Sequence, residues 1–291
     1  MTKLSIIVLS YNTRDLTKIC IQSIIKQYQK QLESGEVEIV LVDNASTDDT
    51  ILITSHLTSH ISHLKIIENK DNVGFSKGNN IGAKVAKGEY LFFLNSDAEV
   101  QDKGLLEMVA YLNDHEKIGV LGGKLRNVGG SNQPSAGKFY TLANVFFMLF
   151  GAERFGLLRV SPSKTSGVDW VSGASLMMRR DLFESLKGFD EHFFMYVEDM
   201  ELCFRVKKSG FNVYFYPDIS IIHKEQGSGN RSFAILQIYN GLLYFYKKHK
   251  SYWQYILVKT LLIIKAVIAI CIGTLVGNTY LTNTYRKALS L

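Results

Sequence analysis

The chain lacks most of the residues that staple or stiffen small folds. Its 291 residues include only three prolines and three cysteines. Cys20, Cys203 and Cys271 are odd in number and far apart, which excludes a disulfide framework and a paired Cys-x-x-Cys site and fits a reducing compartment. Gly-x-Gly-x-x-Gly and Gly-x-x-x-x-Gly-Lys-[Ser/Thr] are both absent, so neither the dinucleotide-binding turn nor the phosphate loop of NTPases is present. There is no zinc-ligand spacing and no Arg-rich run, which argues against nucleic acid as the partner. The formal charge of +6 and pI of about 9.0 instead suit anionic lipid or phosphorylated substrates. The opening Met1-Thr-Lys-Leu-Ser-Ile-Ile-Val-Leu-Ser-Tyr-Asn12 is too soon polar for a signal peptide. It reads as a first strand, which places the domain it opens in the cytoplasm.

What the sequence has is alternation, in a chain that is 46% hydrophobic and so expected to fold around a sizeable core. Leu4–Ser10 is a β-branched run, and Asn12 or Thr13 can cap the helix that follows. There Leu16, Ile19, Cys20, Ser23 and Ile24 recur at steps of three and four and predict one buried face. Val37–Val42 is a second strand. Ser46 or Thr47 then caps a helix carrying Asp48 and Asp49 in its first turn, the sign that the helix dipole favours. Leu64–Ile67 is a third strand, Asn72-Val-Gly-Phe75 opens a Gly/Asn-rich helix to about Ala86, and Tyr90–Leu94 is a fourth strand. This pattern predicts an α/β fold with a mostly parallel sheet and helices on both faces. Open sheets of this kind bind ligands beyond the carboxyl ends of their strands. Ser10-Tyr11-Asn12, Asp43-Asn44, Asn72–Gly74 and Asn95-Ser96-Asp97 would therefore share one rim.

The second half is less regular. Leu142–Phe150 is apolar and too short to span a bilayer, and is expected to be a core helix rather than an exposed lid. Val168–Met178 reads as a strand pair or one bent strand, with Gly173 permitting close backbone approach. Met200, Cys203, Phe204 and Lys207 have helical spacing behind Glu198 and Asp199, and His223 follows a strand at Val213–Tyr216.

Three positions carry chemistry. Asp97 ends the apolar run from Glu89, where a carboxylate can hold a hard cation that in turn holds a diphosphate; Asn-Ser-Asp is equally ordinary turn chemistry. Asp199, at a helix start, is a dipole-favoured acid or a base that takes the proton of an attacking hydroxyl. The helix amino end is expected to keep it ionised. His223 is a satisfied loop or core histidine, or a metal ligand or charge partner beside a diphosphate. A sugar transfer employs all three together.

Leu9-Ser-Tyr-Asn12, Val42-Asp-Asn-Ala-Ser46, Asn72-Val-Gly-Phe75, Leu94-Asn-Ser-Asp97, Trp170-Val-Ser-Gly-Ala174, Gly188-Phe-Asp-Glu191, Tyr196-Val-Glu-Asp-Met-Glu-Leu-Cys-Phe-Arg205 and His223 stand in the order seen in family 2 glycosyltransferases. Over roughly residues 4–230 the chain resembles the rhamnosyltransferase-like branch that builds bacterial surface polysaccharides. The resemblance implies a GT-A fold, a Rossmann-like and mostly parallel central sheet flanked by helices. It also implies a nucleotide-diphospho-sugar donor, a Mg or Mn divalent cation and inversion at the anomeric carbon. Asn95-Ser96-Asp97 matches the family's Asp-x-Asp position with Asn in first place, leaving Asp97 as the direct metal ligand, with His223 as a second. Ser10, Tyr11 and Asn12 match the nucleotide-binding first loop and Asp43 the position that meets the nucleobase or ribose. Asn72, Gly74, Asn95 and Ser96 complete the donor-binding set. Asp199 matches the general base and Glu198 an orienting acid; Trp170, Gly173 and Ala174 lie where the sugar and acceptor are faced. The donor is dTDP-rhamnose or a UDP-hexose, since sugar choice depends on a few pocket contacts.

The expected organisation is a catalytic region over 1–230, with a nucleotide-binding half 1–100 and an acceptor-binding half 101–230, and a C-terminal helical extension over 231–291. In that extension Lys247, Lys248 and Lys250 cluster beside aromatics, and Ile256–Val276 is apolar but interrupted by Lys259 and Lys265. These are the parts of a membrane-surface anchor, preferred over homodimer packing and over a true span. A glycan or lipid-linked acceptor at the inner face of the cell membrane would suit it. In another functional class stands a catalytically lapsed nucleotide-sugar-binding or scaffold subunit of a glycan assembly complex, for which Asn95 leaves room. A nucleotidyltransferase would want a basic Gly-rich first loop, which Leu9-Ser-Tyr-Asn12 is not.

Overall fold

The first hundred residues lay four strands side by side. The structure, a computed structural model, describes residues 1–58, 61, 63–151, 158–225 and 231–291. Strands β1 (Leu4–Ser10), β2 (Val37–Asp43), β3 (Leu64–Glu68) and β4 (Tyr90–Asn95) run parallel in the order β4-β1-β2-β3. β1, β2 and β4 are covered on both faces, which is why each reads as an unbroken apolar run. Helices α1 (Arg14–Ser34), α2 (Thr50–Thr58) and α3 (Gly74–Val85) make the crossovers.

Two local expectations need correction. The buried face of α1 is Thr17, Cys20, Ile21, Ile24, Tyr28 and Leu32, and Ile19 is exposed. The helix is turned because Thr17 bonds the Ser10 hydroxyl at 2.7 Å and Tyr28 receives the backbone N–H of Leu105 at 3.0 Å. Neither Ser46 nor Thr47 caps α2: Ser46 donates its N–H and hydroxyl to Asp43, and it is Asp48 that accepts from the Thr50 N–H at 3.1 Å.

The second half completes the sheet from the other side. It contributes β5 (Ala98–Val100), α4 (Gly104–Asp114), β6 (Ile118–Arg126), β7 (Asn132–Gln133), β8 (Ala136–Gly137), α5 (Leu142–Leu149), β9 (Arg159–Val160), β10 (Ser166–Val168), β11 (Trp170–Val171), β12 (Ser175–Arg179), α6 (Arg180–Ser185), α7 (Glu198–Lys208) and β13 (Asn212–His223). β12 enters antiparallel between β4 and β6, β13 runs parallel to β6, and the full order is β10-β13-β6-β12-β4-β1-β2-β3. β8, β9 and β11 form a small second sheet. The segment expected as a strand pair or bent strand thus becomes three short strands shared between two sheets. Its crossing over β6 needs Gly122, where any Cβ would collide with Val171. β13 is longer than Val213–Tyr216, and its last residue, His223, pairs with Ala98.

Three C-terminal helices, α8 (Arg231–His249), α9 (Tyr252–Leu275) and α10 (Thr279–Leu289), pack on the α7 side of the sheet. Leu242, Phe245 and Tyr246 of α8 share one hydrophobic cluster with Met200 and Cys203 of α7 and with Val258, Leu262 and Ala266 of α9. α5 packs against α9 through a single face. Val145 and Leu149 are buried while Phe146, Phe147 and Phe150 are 47%, 46% and 40% exposed, so the expected core helix is only half a core helix.

The join between α7 and α8 is ionic. The fully buried Glu201 carboxylate accepts from Arg205 at 2.9 Å, Lys248 at 2.8 Å and His249 at 2.8 Å. Arg205 also donates to the carbonyls of Leu186 and Gly188, and Lys248 reaches Asp190 at 2.6 Å. Burial raises the Glu201 pKa, but His249, Arg205 and Lys248 outweigh it and hold the carboxyl below its ordinary value. Removing one partner of a buried ion pair strands the others. Glu201→Ala is therefore expected to destabilise the protein by about 3–5 kcal/mol, read as a lower urea midpoint with an unchanged slope.

Candidate active site

The strand-end loops are held to one another by side chains. Asn12 sits at φ 51°, a left-handed conformation that Asn tolerates. Its Oδ1 accepts from the Thr47 N–H at 2.7 Å while its own N–H donates to the Ser46 hydroxyl at 2.9 Å. The buried Asp43 accepts from Ser46 twice, at 2.8 and 2.6 Å. Asn44 donates to the Gly74 carbonyl at 3.0 Å and to Asn72 Oδ1 at 3.3 Å, and Asn72 Oδ1 also receives the Gly74 N–H. Gly74 has φ +83° and lies against the Phe194 carbonyl, which leaves no room for a Cβ. The first three loops are thus one network, and Tyr11, 43% exposed, stands outside it.

Not every expected donor-site side chain is presented outward. Ser10 is fully buried and bonds Thr13 and Thr17, and the Ser96 hydroxyl meets Thr13 at 3.0 Å. These hydroxyls join the first loop to the fourth from behind. Trp170 is also buried; its indole N–H donates to the Lys138 carbonyl at 2.9 Å and its ring lies under the Arg159 guanidinium.

The fourth loop meets the end of β13. His223 Nε2 lies 3.2 Å from Asp97 Oδ1 and 3.2 Å from Asn95 Nδ2. Its other nitrogen, Nδ1, lies 2.8 Å from Gln133 Oε1. The amide nitrogen of Gln133 is turned to Asn127 Oδ1 and the His223 carbonyl, so the hydrogen-bond network assigns the imidazole proton to Nδ1. Nε2 then accepts from the Asn95 amide and faces the Asp97 carboxylate, so a cation seated here would take the Nε2 lone pair in place of that amide. The edge between two ligands of a six-coordinate cation with ~2.1 Å bonds is about 3 Å, so the spacing fits a small divalent ion. Among the described residues no three His, Cys, Asp or Glu side chains converge on one point. Asp97 and His223 are the two side chains here that could hold such an ion, beside a neutral Asn95. Gln133 carried no signal in the sequence; it is a glutamine in a Gly-rich loop, significant only once β7 pairs with β6.

The second chemical centre begins on a strained turn. Tyr196 and Val197 have φ of 68° and 73°, and for a β-branched residue that is an outlier, costing about 1–3 kcal/mol. α8 backs the turn at Gly241, where a Cβ would come within 2.9 Å of Val197 Cγ2. The turn delivers Glu198 and Asp199 at the amino end of α7. Asp199 Oδ2 accepts the Gly173 N–H at 3.1 Å and Oδ1 the Met200 N–H at 2.7 Å. The next residue, Ala174, gives its carbonyl to the Asn95 N–H at 3.4 Å. Gly173-Ala174 therefore bridges the acid on α7 and the fourth loop. Phe75, 3.0 Å from where a Gly173 Cβ would sit, closes it from α3.

Glu198 is 5% exposed and its Oε2 has no hydrogen-bond partner among the described residues. Burial and the neighbouring Asp199 push its pKa well up. Burial raises Asp199 too, against the Gly173 and Met200 N–H groups and the positive Arg159. The helix amino end alone thus does not settle its ionisation, as the sequence had suggested. Of the two acids Glu198 is raised the more strongly, while two N–H donors favour the charged form of Asp199.

A family model described as glycosyl transferase family 2 matches residues 5–187. The chain belongs to glycosyl transferase family 2. It is a glycosyltransferase. The family match ends before Asp199 and His223, so their placement rests on the geometry above. The chain is 28% identical to rhamnosyltransferase WbbL of Escherichia coli over 229 residues, covering 68% of this chain and 86% of that protein. It is 25% identical to the low-salt glycan biosynthesis hexosyltransferase Agl10 of Haloferax volcanii, covering 81% and 72%. It is 24% identical to an N-acetylglucosaminyl-diphospho-decaprenol L-rhamnosyltransferase of Mycobacterium tuberculosis, covering 75% and 77%. Among solved structures, a Pyrobaculum calidifontis mannosyltransferase with GDP-Man and Mn2+ aligns at TM-score 0.58 and 18% identity over 99% of this chain and 74% of that one. S. aureus TarS 1-349 aligns at TM-score 0.57 and 16% identity over 99% and 90%. These likenesses show the GT-A fold.

The Glu198 assignment has a stability signature. A carboxyl whose folded pKa is raised binds more protons folded than unfolded, so its contribution is present below its ordinary pKa, about 4.3, and is lost as pH rises through the raised value. Glu198→Gln cannot ionise. Thermal unfolding across pH is expected to show the variant gaining on the parent as pH rises above about 4.3; parallel curves would contradict the assignment.

Proposed function

We propose that the protein is an inverting, cation-dependent glycosyltransferase of cell-surface polysaccharide synthesis. It moves a sugar from a nucleotide-diphospho-sugar to a hydroxyl of a glycan or lipid-linked acceptor. The observation that carries this reading is the Gly173-Ala174 bridge, which sets a half-buried carboxylate, Asp199, and the Asp97–His223 pair on the two sides of one backbone turn.

The roles follow from position. The linked loops carrying Asn12, Asp43, Asn72 and Gly74 lie along the strand ends where a nucleotide binds. Asp97 and His223 would hold Mg or Mn, which when bound supplies positive charge to the diphosphate leaving group. Asp199 accepts the proton of the acceptor hydroxyl as its oxygen attacks the anomeric carbon, in a single displacement that inverts configuration. Glu198, protonated behind it, keeps a second negative charge out of the pocket. Residues 1–100 serve as the donor half, 101–230 as the acceptor half, and 231–291 as their support.

The relatives named rhamnosyltransferase favour a dTDP-rhamnose donor, with UDP-hexoses as the other class. The buried thiols of Cys20 and Cys203 and the exposed Cys271, all free, suit a cytoplasmic setting. Calorimetry of a nucleotide-sugar panel with and without Mn2+ tests the reading. One donor is expected to bind with a Mn2+-dependent gain that Asp97→Ala abolishes. Gln133→Leu, which frees the His223 tautomer, is expected to weaken Mn2+ binding by roughly 10–100-fold. Full donor affinity without Mn2+, or an undiminished Mn2+ gain in Asp97→Ala, would refute the cation seat.

A further inference from the structure

Residues 231–291 contain eight Lys or Arg and no Asp or Glu. The remainder of the chain, with twenty-five basic and twenty-seven acidic residues, is slightly negative, so the C-terminal helices hold the whole positive excess. Among the described residues, most of the large exposed apolar side chains lie in the same segment. α9 buries one stripe, Val258, Leu262, Ala266, Ala269 and Gly273, and is apolar on its open side as well. Ile264, Val267 and Ile268 there are 43%, 45% and 41% exposed. α5, from the catalytic region, extends this surface: Phe146, Phe147 and Phe150 are open, and Lys265 of α9 stands over the Phe150 ring at 5.8 Å. A joined patch of this kind on a soluble surface marks a docking site.

We propose that α5 and α9 together form a face that inserts its side chains into the surface of an anionic bilayer, with three aromatics contributed by the catalytic region itself. The charge pattern selects the occupant. A second copy seated on this face would set Lys259 and Lys265 against their own copies with no acid on α9 to pair them, whereas anionic headgroups complement them. Lys259 and Lys265 are half-buried along apolar stems, a geometry that lets their ammonium groups reach headgroups. α9 is long and apolar enough to cross a membrane by length and composition. A crossing helix, however, would have to leave the core that its buried stripe shares with α8, and would carry both lysines into hydrocarbon.

Docking through α5 ties the membrane to the acceptor side. The chain entering α5 is fixed to β11's neighbour by the Phe139 N–H on Asp169 at 3.1 Å and to α8 by Tyr246 on the Tyr140 carbonyl at 2.7 Å. β11 then leads directly into the Gly173-Ala174 turn. The face therefore orients the site toward an acceptor presented at the lipid surface, an inference that rests on the transferase reading above.

The test is co-sedimentation of the full chain with vesicles of phosphatidylcholine alone or mixed in equal parts with phosphatidylglycerol. Binding is expected only to the mixed vesicles, to fall as salt rises, and to weaken about tenfold or more in a Phe146→Ser/Phe147→Ser/Phe150→Ser variant. These side chains are exposed, so folding is expected to survive; a parent-like unfolding midpoint checks this. Equal binding to both vesicles, or undiminished binding by the triple variant, overturns the proposal. So does a concentration-dependent dimer that the triple variant abolishes, or resistance of the bound protein to alkaline extraction, which marks a span. Hydrolysis of the donor in the absence of vesicles should be the same in parent and variant; if both lack it, the transferase reading fails while the docking face stands or falls on sedimentation alone.

Discussion

One backbone amide organises this protein's chemistry. The Gly173 N–H points at Asp199, and the carbonyl of the next residue accepts from Asn95. Through that turn the two halves of the sheet, which meet where antiparallel β12 slots between β4 and β6, share a single active rim. A Cβ at position 173 would lie 3.0 Å from the Phe75 ring, so the approach is close and a larger residue would have to displace that ring. Everything proposed for the reaction requires the base and the cation seat to keep this fixed relation, because a misplacement of about 1 Å can cost roughly 10²-fold in rate.

The C-terminal helices make that relation rigid. α8 backs the strained Tyr196–Val197 turn at Gly241, and the Glu201–Arg205–Lys248–His249 cluster clamps α8 to α7 on the far side of the same helix start. Strain of about 1–3 kcal/mol per residue persists only where surrounding packing over-determines it. Here the packing is supplied by the segment that also carries the excess positive charge. The proposed docking face and the support of the catalytic geometry thereby share one cluster of helices.

The strands of the first hundred residues were legible because strands covered on both faces demand unbroken apolar runs, and the rim residues followed because they end those runs. The family was legible for the same reason, since its motifs are those strand ends in order. Three things were not. The buried face of α1 turned on hydroxyl hydrogen bonds, Ser10 with Thr17 and the Leu105 N–H to Tyr28, that hydrophobic spacing ignores. The division of residues 166–179 between two sheets depends on Gly122 beneath Val171, a contact distant in sequence. Gln133 gained its meaning from β7, a two-residue strand too short to have a period. Glu198 and Asp199 were adjacent acids on paper; only their unequal burial and hydrogen bonding distinguishes them, favouring the charged form at Asp199 over Glu198.

The account's central claim is that Asp199 is the base. Single-turnover sugar transfer by Asp199→Asn, at a donor concentration shown by calorimetry to saturate the site, tests it most directly. The account predicts a rate lower by about 10²–10⁴-fold with donor affinity unchanged. Transfer at the parent's rate would contradict it.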